Sequence, residues 1–571
     1  VVAQAEIRTS FLKDHDPEID VPAAVYVSSP KLKSLWLEAL ARPEADMQRM
    51  AADAISRGHA AGIVGLEEAV PNLETLLAKT QSHPAVRLAV ARALIELGAS
   101  SSAETMAASA SVCGADLRQV IEPALARWNY RPMRDQWQTR LKQPQCHHRD
   151  LVLAIRCLAT AGDESAIGGL LGIVHDPERS PDLRIEAARS AGSLADHGLQ
   201  VDAQSLISGA KAASKLNRLC SVTLLARHAG ADAVSLLTEF AVDGEPAVAA
   251  IALGRLIEID PHLVLPLAEG AMRSADAKVR RQGAHAFALL PETDRIAVLA
   301  GLLNDPHPEL RSAVREWLYD LSRTPLLDEA VRRSASQVLA GDDWRGLEQA
   351  ALLLAALDHK PAAFRLVELI DYGRGEVRIA AAWGVKMLAV PETLPAVLTL
   401  ALRRTDARQS GERLPGDVDE HMTHLLELFG KMKYREAEPL LRRYVPKPAG
   451  IDGAVAMGAY SRAASIWSLG KLHEGVPDED LARQLVERLN DVAGYPPEFT
   501  PIREMSAVSI GRMKAVSQAP ELRKHITPKV TAGGLHQRIR WALIELTGES
   551  IPEPDPPTAS TSGWFLEPVG E

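Results

Sequence analysis

The 571-residue chain has little cysteine, few aromatic residues, no excess of positive charge and no long apolar run. Each shortage argues against a class of protein. Its cysteines, Cys113, Cys146, Cys157 and Cys220, are far apart and form no C-x-x-C, which argues against a disulfide framework and a c-type haem site. Aromatic residues make up 4% of the chain against 46% hydrophobic residues. That balance favours close-packed helices over sheets, whose pleated faces take β-branched and aromatic side chains. A net charge of −10 weakens the case for a protein that coats nucleic acid, because phosphate binding needs a basic face. No apolar stretch reaches the ~18 residues that mark a membrane-spanning helix. G-x-S-x-G, H-E-x-x-H, P-loop and G-x-G-x-x-G motifs are missing as well. S-x-x-K occurs at Ser10–Lys13, Ser28–Lys31 and Ser468–Lys471, but without the companion motifs of a lactamase-like site. The expectation is a chain with no catalytic residues, no cofactor and no resident metal.

What the chain does have is a repeat. In "NDPHPELRSAVREWLYDLS", the apolar residues Leu310, Ala313, Val314, Trp317, Leu318 and Leu321 fall on one stripe of helical period. Pro306 and Pro308 separate that helix from the one before, and Asp305 is placed to accept from its free N–H groups. The same template fits Val86, Ala89, Val90, Ala93, Leu94 and Leu97, and again Val377, Ala380, Ala381, Gly384, Val385 and Leu388. Looser copies include "AYSRAASIWSLGKL" and "TPIREMSAVSIGRM", and small residues recur inside the stripe. An arginine follows the first template position at Arg87, Arg118, Arg149, Arg184, Arg218, Arg280, Arg311, Arg345, Arg378, Arg462, Arg503 and Arg540. The spacing gives two-helix units of 31–41 residues, some 13 or 14 of them. Such an array is an all-α solenoid, a stack in which no unit buries its apolar face alone.

Asp-Pro or His-Pro, then an arginine, then an Ala/Leu-rich second helix resembles the HEAT repeat, in the short bacterial form of phycobilin-lyase-type proteins. "NDPHPELRSAVREWL", "HDPERSPDLRIEAARSAG" and "SHPAVRLAVARAL" carry the likeness over residues 46–550. It implies a right-handed α-α superhelix of the HEAT/ARM type. In HEAT-like units the arginine pairs with a carboxylate in the preceding turn, which Asp305–Arg311 and Asp176–Arg184 would supply. "VPAAVYVSSPKLKSLWLEAL", "IEPALARWNYRPMRDQW" and "ELTGESIPEPDPP" further resemble a group of exported bacterial HEAT-repeat proteins without an established activity. That likeness implies fold and location, and nothing catalytic.

The ends differ from the array. Residues 1–45 read as an extended arm and a first helix, suited to capping the solenoid's end. Residues 551–571 form a proline-rich tail, with Trp564, Phe565 and Leu566 as an apolar peg for the chain's own last repeat or for a partner. Loop insertions are expected at 403–420, 442–460 and 494–501, as candidate contact points or plain surface loops. Ala3-Gln4-Ala5 before Glu6 has the small-x-small form of a signal-peptidase site, so an exported protein is expected.

The richest patch is "ARWNYRPMRDQWQTR". Its Trp128, Tyr130, Arg131, Arg134 and Trp137 are the candidate partner-binding residues, set against a plain core role for the tryptophans. Cys146-His147-His148 with Cys157 is a metal candidate set against an ordinary interhelix turn, because adjacent histidines on a helix point about 100° apart, and His421 with His424, beside Glu420, lacks a third defined ligand. The leading expectation is a non-enzymatic scaffold that binds protein and serves as a subunit or adaptor of an exported assembly. The alternatives are a self-assembling structural protein and a HEAT-like enzyme of the DNA glycosylase or bilin-lyase kind.

Overall fold

The computed structural model describes residues 7–22, 25–26, 30–79, 81–143, 145–447, 458–493, 496–526, 533–553, 558–559 and 565–566. Among the described residues the chain is mostly helical, in about 30 helices. The exception is a two-residue parallel pairing of Val25–Tyr26 with Thr558–Ala559.

The repeat forms as the proline pattern predicts. Pro308 opens the helix Pro308–Leu321, where its fixed φ fits and its missing N–H costs nothing. Asp305 accepts from the His307 amide at 2.8 Å and so orders the entry turn. Leu310, Ala313, Val314 and Leu318 are buried, whereas Trp317 and Leu321 are half-buried at the edge of the stripe.

The recurring arginine does a different task from the one expected. Its guanidinium takes main-chain carbonyls at the end of the preceding helix: Arg311 donates to Asp305 O and Pro306 O, Arg378 to Tyr372 O, and Arg462 to Tyr444 O and Val445 O. Those carbonyls are the unsatisfied, negative end of a helix and suit a cation. The carboxylate comes from the following repeat instead. Arg118 pairs with Asp150, Arg218 with Asp243, Arg378 with Asp417 and Arg462 with Glu498. The expected Asp176–Arg184 pair is replaced: Arg184 donates to Val174 O and Asn217, while Asp176 pairs with Arg179. Unit is thereby tied to unit.

The chain divides into two compact units. One comprises Val1–Ala24 with Phe287–Pro557, the other Val25–Ala286 with Thr558–Glu571. In the first, the second helices of successive repeats pack on one another: Gly375–Leu388, Val418–Lys431, Ala459–Leu472, Thr500–Arg512 and Gly534–Thr547. Small residues set their approach. A Cβ on Gly430 would lie 2.5 Å from Ser468 Oγ, one on Gly470 2.5 Å from Ser509 Oγ, and one on Gly511 2.8 Å from Ala542 Cα. Ser468 and Ser509 return their hydroxyls to Leu426 O and Ile466 O of the preceding helix. The 403–420 insertion is mostly not a loop. Residues 403–409 finish the helix Leu394–Gln409, and Val418 begins the next. Asp419 from this region accepts from the Tyr460 and Ser461 amides and so caps the 459–472 helix. Residues 448–457 of the second insertion and 494–495 of the third lie outside the described residues.

Candidate functional site

The amino-terminal arm was expected at the solenoid's end. Within its unit it lies instead along the second helices of the repeats between residues 375 and 547. Ile7, Phe11 and Lys13 are all buried, Lys13 to 1% exposure. A lysine has no business in a core without partners. Its ammonium sits 4.9 Å from the Phe11 ring centroid and 5.5 Å from that of Tyr460, and pairs with Asp14 at 2.6 Å. Phe11 in turn packs between the His424 and Tyr460 rings.

The helices hold the arm mainly by its backbone. His424 Nε2 donates to Ile7 O at 2.8 Å, and Lys386 Nζ to Ser10 O at 2.8 Å. Glu427 Oε1 accepts from the Lys13 amide at 3.1 Å. Trp467 Nε1 donates to Asp16 O at 2.8 Å, and Arg538 reaches Asp14 O at 3.4 Å. One acidic side chain is read directly: Asp16 pairs with Arg512 at 2.5 Å and Lys471 at 3.5 Å. Between Ile7 and Asp16 the contacts draw on all five of these helices, with Ile7, Ser10 and Lys13 held by 375–388 and 418–431, and Asp14 and Asp16 by 459–472, 500–512 and 534–547.

The electrostatics of this seat follow from burial. Glu427 is fully buried and pairs with the equally buried Lys386 at 2.9 Å. Burial pushes the Lys386 amine down from its ordinary range, and the Glu427 carboxylate beside it opposes that shift. Burial, with the Lys386 charge nearby, holds the His424 imidazole well below its usual value. It is therefore neutral, with the proton on Nε2 where Ile7 O accepts it. Burial also lowers the Arg512 guanidinium, against the pull of Asp16 and Glu474. At the edge, Asp417 joins Arg378 and His421. Burial alone would raise its carboxyl, but hydrogen bonds from His421 and Arg378 carry it well below the usual carboxylate range.

Residues singled out in the sequence are placed as follows. Trp137 is fully buried and donates to Glu122 Oε2 at 3.0 Å, while Arg140 clamps both Glu122 oxygens at 2.7 Å. Arg134 donates to Asn129 and to Ala161 O. Trp128 and Tyr130 are half-buried and Arg131 is exposed, so the patch divides between core and surface. At the tail's start Ile551 O accepts from Arg540 of the Gly534–Thr547 helix at 2.9 Å, and further on Phe565 O accepts from Trp36 Nε1 of the helix Pro30–Ala41 at 2.6 Å. Leu566 follows with φ 53°, and Trp564 lies outside the described residues, as do Val1–Glu6 with Ala3-Gln4-Ala5. His421 and His424 serve Asp417 and the arm, and His148 pairs with Asp182. Among the described residues one trio has the spacing of metal ligands, Glu438, His473 and Asp478. The Arg442 guanidinium already bridges both of its carboxylates.

No family model matches the chain, and no curated protein matches it in sequence. Among solved structures, a chain of the Kap95p–RanGDP structure is similar at a TM-score of 0.53 and 12% identity, covering 91% of this chain and 72% of that one. The chain has the HEAT-repeat solenoid fold. A structure of importin beta gives 0.48 at 12% identity over 90% of this chain and 72% of the other. One of yeast importin-beta (Kap95p) gives 0.47 at 12% identity over 91% and 73%. Within this HEAT-repeat solenoid the arm's seat went unread in the sequence, though a signal existed. "FGKM", "LGKL" and "IGRM" each set a basic residue directly after the seam glycine, namely Lys431, Lys471 and Arg512. Two of these three hold Asp16.

Proposed function

We propose that this chain is a non-enzymatic scaffold that holds another protein, as a subunit or adaptor of an exported assembly. The observation that carries the reading is the way the second helices hold residues 7–16. Six side chains drawn from five successive repeats, Lys386, His424, Glu427, Trp467, Arg512 and Arg538, converge on one short segment that turns through a 3-10 helix at Leu12–Asp14. A row of polar groups aimed at peptide backbone is the chemistry of polypeptide binding. The fold supports it, since the similar Kap95p solenoid is described as binding RanGDP. Export belongs to the same proposal and rests on Ala3-Gln4-Ala5; cleavage after Ala5 would leave the mature end one residue before buried Ile7.

The test is purification from the native source after mild cross-linking, with the intact mass read beside it. The expected result is a stoichiometric protein partner and a mature start at Glu6. Recovery of the chain alone, or with a longer amino-terminal extension, would overturn the scaffold or the export reading respectively.

A further inference from the structure

The arm's seat is more than a structural strap. We propose that it is an exchangeable peptide-binding site, that it takes a segment of a partner protein with the arm's turned backbone and order of side chains, and that residues 7–16 are its built-in competitor. This rests on the scaffold reading and names the partner's chemistry.

Main-chain recognition comes first. His424, Lys386, Glu427, Trp467 and Arg538 all address carbonyls or an amide, Ile7 O, Ser10 O, Lys13 N, Asp16 O and Asp14 O. Any segment that adopts the arm's turned backbone, with its 3-10 helix at Leu12–Asp14, offers those groups, so these bonds do not use the arm's own side chains. Selectivity lies at four positions. Ile7 and Phe11 are buried apolar anchors, four residues apart. Lys13 is buried between the Phe11 and Tyr460 rings. Asp16 meets the Arg512–Lys471 pair. The segment that fits is therefore aliphatic, then aromatic at the fifth position, lysine at the seventh and aspartate at the tenth.

The seat is also built to be occupied. Glu427, Lys386 and His424 are buried and charged or polar, and each spends a hydrogen bond on the arm. Stripped of an occupant, they would face desolvation without those bonds. Beyond Asp16 the chain returns to solvent, with Glu18 and Asp20 exposed and Val21 46% exposed. The arm is thus a tethered ligand. With an intrinsic arm affinity of about 10 µM, tethering at an effective concentration of about 1 mM would weaken any competing segment about 100-fold.

The experiment uses the full chain with a protease site inserted between Asp20 and Val21. After cutting, a fluorescein-labelled peptide of residues 6–20 is titrated and followed by anisotropy, against a scrambled peptide. Saturable binding to the cut chain, about 100-fold weaker to the uncut chain and lost for the scramble, is the expected result. Phe11→Ala with Asp16→Ala in the uncut chain should loosen the arm and restore most of that affinity without cutting. Failure of the peptide to bind both the cut chain and this variant, with helical content unchanged, would overturn the proposal. So would equal binding to cut and uncut chains. A dimer that dissociates on cutting would assign the seat to a second copy's arm and overturn the partner. If a native partner is captured but peptide never displaces it, the scaffold reading stands and this inference falls.

Discussion

Replacing Lys386 with methionine removes the cation from a carboxylate that has no exposure to solvent. Glu427 would keep only its hydrogen bond from the Lys13 amide. Breaking a buried ion pair by removing one partner costs about 3–5 kcal/mol, whereas replacing both partners with apolar residues of similar volume is often close to neutral. K386M and E427L should therefore each destabilise the unit by about 3–5 kcal/mol. The double variant should lose only about 1–2 kcal/mol, for the bonds to Ser10 O and Lys13 N that vanish with the pair. Urea unfolding followed by circular dichroism gives the three values. Limited proteolysis at residues 18–22 reports whether the arm has left its seat. The reasoning is refuted if the double variant loses the sum of the two singles, or if K386M is as stable as the parent. Either result would mean that Lys386 and Glu427 do not act as an ion pair.

Three further outcomes are expected. Asp417 is held below its ordinary pKa in the folded chain, so its stabilising contribution is complete above about pH 4 and is lost as pH falls further; urea midpoints measured down through that range should fall less steeply for Asp417→Asn than for the parent. Gly470→Ala forces a Cβ against Ser509 in a close-packed seam and should cost about 1–3 kcal/mol, read from the same urea midpoints; an unchanged midpoint would show that the seam can open. Burial pushes the Cys157 thiol up to about 12 and Cys220 up to about 11, so a thiol reagent near neutral pH should label half-buried Cys113 and Cys146 first, with the other two reacting only on unfolding.

The solenoid was legible because its cause is local. A stripe of Leu310, Ala313, Val314 and Leu318 behind Pro308 decides helix, boundary and buried face within a dozen residues, and the pattern then repeats. The arginine series was legible as a tie between units, but not its partners. Carbonyls carry no side-chain identity, and Asp150, Asp243, Asp417 and Glu498 sit at varying distances downstream. Aromatic-arginine density marks residues 126–140 in the sequence as a surface or a core, and only the fold assigns Trp137 to the core, held by Glu122. The arm's seat was hidden for two reasons. Its halves are more than 370 residues apart even at their nearest, Ser10 and Lys386, and its bonds go to main-chain atoms that any sequence possesses.

The distance between arm and seat also sets an order of events during synthesis. Ile7 leaves the ribosome 417 residues before His424, and at about 5–20 residues per second that interval is about 20–80 s. Throughout it, Ile7, Phe11 and the lysine between aromatic rings have no face to bury against, while the repeats of residues 30–286 can fold in turn. A segment made early thus finds its place only after the repeats that hold it have been made. A chain interrupted before residue 418 would carry an apolar end that nothing covers, and quality-control factors would have a direct means of telling an unfinished chain from a finished one.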